Sequence, residues 1–202
     1  MDITDAPAVR HAVATAVAEF GGPDFALNCA GIQLADNFEQ LTDEQYARVI
    51  NVNLLGSRNF AVAVLPHMQS GSRLALVASL GGLVANYAYG AYSASKFDVV
   101  VLADVLRAEY APLGIGVSVI CPPEVMTPMV AQELAHMHPV QKALKGSAGR
   151  LEVEELVPDV MEQVLIRKRY RVITGGRANL MYYLARFLPT GLFHAYYDRQ
   201  VN

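Results

Sequence analysis

The sequence predicts an α/β fold built on a parallel sheet that helices cover on both faces. Two observations lead there. Segments of helical periodicity alternate with short runs bounded by turn residues, and those short runs are almost wholly apolar, as strands buried on both faces must be. A third fixes the extent: no repeat, low-complexity tract or linker divides the 202 residues, 53% of them apolar, so one domain over 1–202 is expected.

The elements follow in order. Asp5 can cap a helix beginning near Pro7, because proline is tolerated where an N–H would be orphaned anyway. Val9, Val13, Ala16, Val17 and Phe20 recur at helical spacing, and Gly21-Gly22-Pro23 stops that helix. Phe25 to Cys29 reads as a buried strand. Thr42 with Gln45 makes a capping box that opens a long helix, Asp43 to Gln69. Arg73 to Ala78 is the next strand, and a second long helix runs from Tyr92 to Tyr110, ending before Pro112 and Gly114. Val117 to Cys121 is a strand stopped by Pro122-Pro123. Past Thr127 the chain turns polar, with Lys142, Lys145, Gly146, Gly149 and Arg150. A loop-and-helix insert is expected over 128–168, its helix spanning Glu152 to Lys168. Tyr170 to Thr174 is the last strand, ended by Gly175-Gly176, and a helical tail fills 177–202.

Composition excludes several classes. The net charge of −3 supplies no basic field, so nucleic acid is not an expected partner. Cys29 and Cys121 lie far apart in apolar runs and read as free, buried thiols of a reducing compartment. No run reaches the roughly 18–20 apolar residues of a membrane span, and the acidic start lacks a secretory signal. A cytoplasmic protein is expected. His136 and His138 are neighbours without an acidic or cysteine cluster at ligand spacing, so no metal site is expected. Arg167, Lys168 and Arg169 read as a solvated helix end.

The chemistry-bearing pair is Tyr92 and Lys96, four positions apart and therefore on one helix face. A tyrosine is a poor acid–base catalyst near neutrality, since its ordinary pKa is about 10; an ammonium one turn away favours the phenolate. Ser79 precedes Tyr92 by 13 positions, where a strand gives way to Gly81-Gly82. Ligands of open parallel sheets bind beyond the carboxyl ends of the strands, so Ser79 should face the helix that bears Tyr92. Singly, Ser79 reads equally as a strand-end hydrogen-bonding residue, and Asn53 as a buried asparagine bracing two helices.

Together with Asn28-Cys29-Ala30-Gly31, Asn51-Val52-Asn53-Leu54-Leu55-Gly56, Ala78-Ser79, Tyr92-Ser93-Ala94-Ser95-Lys96 and Pro122-Pro123-Glu124-Val125-Met126-Thr127, the chain resembles the short-chain dehydrogenase/reductase family over nearly its whole length. The resemblance implies a Rossmann-like, doubly wound parallel sheet and a hydride transfer between NAD or NADP and a carbonyl/alcohol substrate. It implies that Tyr92 is the acid–base group and that Lys96 assists it and holds the nicotinamide ribose. Ser79 would orient the reacting oxygen, and the Asn53 carbonyl would anchor a relay water. It further implies cofactor contacts at Asp2, Asn28, Ala30, Gly31, Tyr92, Lys96, Pro122, Val125 and Thr127. One departure is Pro122-Pro123 where the family commonly has Pro-Gly.

The family's glycine-rich phosphate turn has no counterpart here: Gly81-Gly82 comes too late, and Gly21-Gly22 precedes a strand. The expectation is a chain that begins about three elements into the fold, without the first two strands and helices. The resemblance implies an oxidoreductase, with a catalytically silent binding or scaffold subunit as the alternative; without the phosphate turn, these 202 residues alone are expected to bind neither NAD nor NADP. Pro122-Pro123, Thr127-Pro128, Asn28-Cys29-Ala30-Gly31 and Asn53-Leu54-Leu55-Gly56-Ser57 resemble the 3-ketosphinganine reductase branch, which implies a long-chain lipid ketone and favours NADP. Phe60, Val64, Val100, Val101 and Val105 give the two long helices more apolar surface than one sheet contact needs, so a homo-oligomer is expected. The aromatic tail from Ala178 either packs beside the site's mouth or lies against a membrane as an interfacial helix.

Overall fold

The computed structural model describes residues 1–127, 130 and 148–201. The chain opens with α1 (Ala6–Phe20), where the Asp5 carboxylate accepts the Ala8 N–H at 3.0 Å. Gly21 ends it at φ +83°, a conformation that costs glycine nothing. β1 (Phe25–Asn28) follows, then α2 (Asp43–Ile50) behind its capping box: Gln45 N–H donates to Thr42 Oγ1 at 3.2 Å, and Thr42 N–H to Gln45 Oε1 at 2.9 Å.

The long helix expected over Asp43 to Gln69 is not one regular α-helix. A π-helical turn, Asn51–Leu55, separates α2 from α3 (Gly56–Val64), and a 3₁₀ turn at Leu65–His67 ends the run around Pro66. A Cβ on Gly56 would lie 2.6 Å from Ile3 Cγ2, so the N-terminal segment seats against a bare backbone there, and the Gly56 N–H reaches back to Asn51 O. Such one-turn insertions often mark functional positions, and this one holds the fully buried Asn53.

After β2 (Arg73–Val77), α4 (Gly90–Tyr110) starts two residues earlier than expected. Then come β3 (Gly116–Ile120), β4 (Glu124–Val125), β5 (Arg150–Leu151) and α5 (Val153–Met161), which runs into a π turn at Glu162–Ile166 instead of continuing to Lys168. β6 (Arg171–Val172), α6 (Gly176–Phe187) and α7 (Thr190–Val201) complete it. The outer strands are shorter than the apolar runs that encode them. β6 pairs in register with β3 at Arg171 and Val172 alone; Tyr170 O still accepts the Val119 N–H at 2.7 Å, while Ile173 and Thr174 lie past the strand.

The main sheet has the order β1-β2-β3-β6, every pair parallel, in the register Asn28↔Leu76↔Val119↔Arg171. Alternate residues face opposite layers. Leu74, Leu76, Val117 and Val119 pack against Ala61 and Val64 of α3 and Val99 and Ala103 of α4. Ala75, Ile120 and Val172 pack against Val160 of α5 and Val164 beyond it. The parallel sheet with helices on both faces is the predicted architecture. Of the insert expected at 128–168, residues 128, 129 and 131–147 lie outside the described residues, and with them His136, His138, Lys142, Lys145 and Gly146; so do the side chains at 196, 197 and 200–202.

Candidate active site

Three parallel strands end side by side, and their carboxyl ends carry the site. Beyond β2, Ser79 Oγ accepts the Gly81 N–H at 3.1 Å and folds Leu80–Gly82 into a tight turn. The Leu80 N–H donates to Pro122 O at 2.8 Å, which ties this turn to the segment that leaves β3. A Cβ on Gly82 would lie 2.5 Å from Lys96 O, so α4 rests backbone to backbone on the turn. A Cβ on Gly81 would lie 3.5 Å from Ser79 Oγ, 3.6 Å from Tyr92 Cε1 and 3.8 Å from Ser93 Oγ. Ser79 therefore does face Tyr92, across the empty side of a glycine.

Lys96 lies one turn below Tyr92 on α4, its Nζ 5.8 Å from the Tyr92 ring centroid. The side chain is buried, and Nζ donates to Val77 O at 2.9 Å. Burial lowers its pKa to about 8, because an ammonium loses hydration there. Cys121 lies behind, its thiol pushed up to about 12 by burial and therefore neutral. Cys29 departs from expectation: one residue past β1, at the edge of the described sheet, it is exposed.

Asn53 is the hub of the buried polar groups. Its Oδ1 accepts the Ile32 N–H at 2.8 Å; its Nδ2 donates to Ile32 O and to Ser95 Oγ, both at 2.9 Å. Ser95 Oγ donates to Tyr92 O at 2.7 Å. On the other side, Ser57 Oγ donates to Asn53 O at 2.6 Å, and Asn28 Nδ2 donates to Ser57 Oγ at 3.0 Å. Asn28 Oδ1 accepts the Ala30 N–H at 3.0 Å, which shapes the turn into Gly31. At Gly31 a Cβ would lie 3.2 Å from Asn53 Oδ1 and 3.3 Å from Lys96 Nζ. One connected set thus joins Asn28, Ala30, Gly31, Asn53, Tyr92 and Lys96, with Ser79 opposite.

The remaining expected cofactor contacts lie at the rim. Pro122 touches the set through Leu80. Val125 pairs in register with Leu151, Glu124 is salt-bridged to Arg150 at 2.5 Å, and Thr127 Oγ1 accepts the Val130 N–H at 3.4 Å. Asp2 is exposed and folds onto Thr4, accepting its N–H and hydroxyl at 2.9 Å each, bonds that hold the carboxyl below its ordinary range. Its segment is fastened to α3, where Asn59 Nδ2 donates to Ile3 O at 3.1 Å.

Sequence reasoning passed over Ser57, Ser95 and Ser93. The first two stand four residues after Asn53 and three after Tyr92, a helical spacing that was available as a signal. Ser93 Oγ is buried with no hydrogen-bond partner, beside Ser79 and Tyr92. Among the described residues no group of three His, Cys, Asp or Glu side chains could hold a metal ion, and no helix is long and apolar enough to cross a membrane.

A family model described as short chain dehydrogenase matches residues 1–138. The D-beta-hydroxybutyrate dehydrogenase of Rhizobium meliloti is 31% identical over 186 residues, 91% of this chain and 69% of that protein. The 3-dehydrosphinganine reductase of Danio rerio is 30% identical over 159 residues, 78% of this chain; the match spans only 48% of that protein. Among solved structures, a short chain dehydrogenase from Burkholderia cenocepacia in complex with NADP superposes with a TM-score of 0.80 at 23% identity, over 98% of this chain and 76% of that one.

Proposed function

Because this chain belongs to the short chain dehydrogenase family, we propose that Tyr92, Lys96, Ser79 and Asn53 serve hydride transfer between a nicotinamide cofactor and a carbonyl/alcohol substrate. The observation that carries this reading is the meeting of Ser79 Oγ and Tyr92 around Gly81, with the buried Lys96 ammonium one turn below. The residues fit the ribose end of such a cofactor. Nζ has three donors and Val77 O takes one, while Gly31 keeps bare backbone beside it. A bound nicotinamide would give or take the hydride, the one step that side chains do not perform.

In reduction, the Tyr92 hydroxyl gives its proton to the substrate oxygen while the Ser79 hydroxyl donates a hydrogen bond to the same atom. The Lys96 ammonium favours the phenolate left behind. Oxidation runs the same transfers backwards. The Asn53 carbonyl, which accepts from Ser57 Oγ, is the group that would hold a relay water in this reading. The finer reading is a lipid-like ketone, with NADP favoured over NAD; its support is the likeness to the reductase of Danio rerio and the Pro122-Pro123 turn.

The test is Tyr92→Phe in a chain shown to bind the cofactor. It should lower kcat by at least about 10²-fold and leave cofactor binding nearly unchanged, because it removes only the acid–base group. Near-full turnover in that variant would overturn the mechanism.

A further inference from the structure

We propose that the outer face of α6 docks on an anionic phospholipid membrane. The inference is independent of the hydride-transfer reading and rests on how α6 divides its residues. One side holds the helix to the body of the protein. Ala178 is fully buried, Asn179 Nδ2 donates to Ile173 O at 2.8 Å, and the Tyr182 hydroxyl accepts from Arg171 at 2.7 Å. The other side is apolar and points outward. Leu180, Tyr183, Leu184 and Phe187 recur at the i, i+3, i+4, i+7 spacing of a single stripe, and all are exposed, Leu180 at 59% and Phe187 at 76%. The Tyr183 and Phe187 rings stack at 6.1 Å, and Leu188 and Leu192 carry the exposed apolar surface across the turn into α7.

Charge selects the occupant. At roughly 100° per residue, Arg177 borders the stripe on one side, and Arg186 stands about 60° beyond its other edge, past Asn179. From Gly176 to Asn202 the chain has three arginines, one aspartate and no lysine or glutamate, although its net charge is −3 overall. An apolar stripe of leucine and aromatic side chains between arginines suits an interfacial helix, whose rings enter the acyl boundary while the guanidinium groups meet lipid phosphates. A two-fold pairing of the same face with a second copy would instead bring like charges together, with Asp198 alone to offset them. The start of α6 lies near the rim of the site. Gly175 sits beside Leu151, the register partner of Val125, and Arg177 lies against Gly149.

Flotation of the full chain with phosphatidylcholine vesicles, with and without phosphatidylserine, tests this. Binding is expected with phosphatidylserine and should be far weaker without it. Leu180→Ser with Phe187→Ser replaces exposed side chains, so the fold, checked by circular dichroism, should persist. The bound fraction should fall about tenfold or more, since two apolar anchors are lost. Arg177→Gln with Arg186→Gln should remove the preference for phosphatidylserine. Absence of flotation in the wild type, or flotation of the Leu180/Phe187 variant at the wild-type level, would overturn the proposal. So would a fall in solution mass in that variant, which would make the face a protein–protein contact.

Discussion

Asn53 and Ser95 are joined across 42 positions of sequence by a 2.9 Å hydrogen bond, which fastens the π turn to the helix bearing Tyr92 and Lys96. The same amide closes two bonds with the Ile32 backbone, so three elements share one buried side chain. Replacing it by Leu leaves the Ile32 N–H, the Ile32 carbonyl and the Ser95 hydroxyl without that partner in a buried place. Each such loss costs about 1–3 kcal/mol. Asn53→Leu should therefore lower the unfolding free energy by at least about 2 kcal/mol in urea denaturation. A loss under about 1 kcal/mol would show that the amide is peripheral to stability.

Lys96 makes stability depend on pH in a definite direction. Its pKa is lowered by burial to about 8 from the ordinary 10.5. Between those values the unfolded chain binds more protons, so the Lys96 contribution to stability rises with pH from about 8 to about 10.5. It is fully present above that window and lost as pH falls through 8. Lys96→Met has no such titration. The wild-type minus variant stability should climb across the window by roughly 3 kcal/mol at 1.36 kcal/mol per unit. Denaturation at a series of pH values reads it; a flat difference would refute the burial argument.

Gly82 is the point where α4 and the Ser79 turn meet without side chains. A Cβ there would lie 2.5 Å from Lys96 O and 2.7 Å from Lys96 C, and backbone atoms of a helix cannot step aside cheaply. Gly82→Ala should destabilise by about 1–3 kcal/mol, the usual cost of overpacking. It should also weaken turnover, because separating the turn from α4 moves Ser79 from Tyr92. A stable, fully active alanine variant would mean that the contact relaxes freely.

Where the sequence could be read, the signal was local. The Asp5 cap and the Thr42–Gln45 box need only residues three apart, and the structure has both bonded as expected. The π turn could not be read: the apolar spacing runs through it unbroken, and the Gly56–Ile3 contact beside it joins positions far apart in sequence. Apolar content overstated β6 and buried Cys29, since the extent of a ladder and the cover over a strand end depend on neighbouring strands. In the site, Tyr92, Lys96 and Ser79 were legible from spacing on one helix and one strand end. The link from Asn28 through Ser57 to Asn53 depends on how β1 sits beside α3, which no spacing encodes.

Of the residues expected to leave an apolar face, Val64 and Val100 are buried in the core and Phe60 is packed partly against it. Val101 and Val105 are exposed, and Phe97 joins them at the i, i+4, i+8 spacing of one stripe along α4. Leu55 and Val62, seven residues apart, are exposed on the helical run that packs beside α4. Two adjacent helices presenting apolar stripes suit a two-fold contact in which each stripe meets its copy. We therefore expect a homo-oligomer at micromolar concentration by light scattering. Val101, 58% exposed, is the residue to test, because changing it should spare the core. Val101→Asp places like charges together across the two-fold and should reduce the mass to that of a monomer while the circular dichroism spectrum persists. A folded wild-type chain that scatters as a monomer, or a Val101→Asp variant of unchanged mass, would remove this face as the interface.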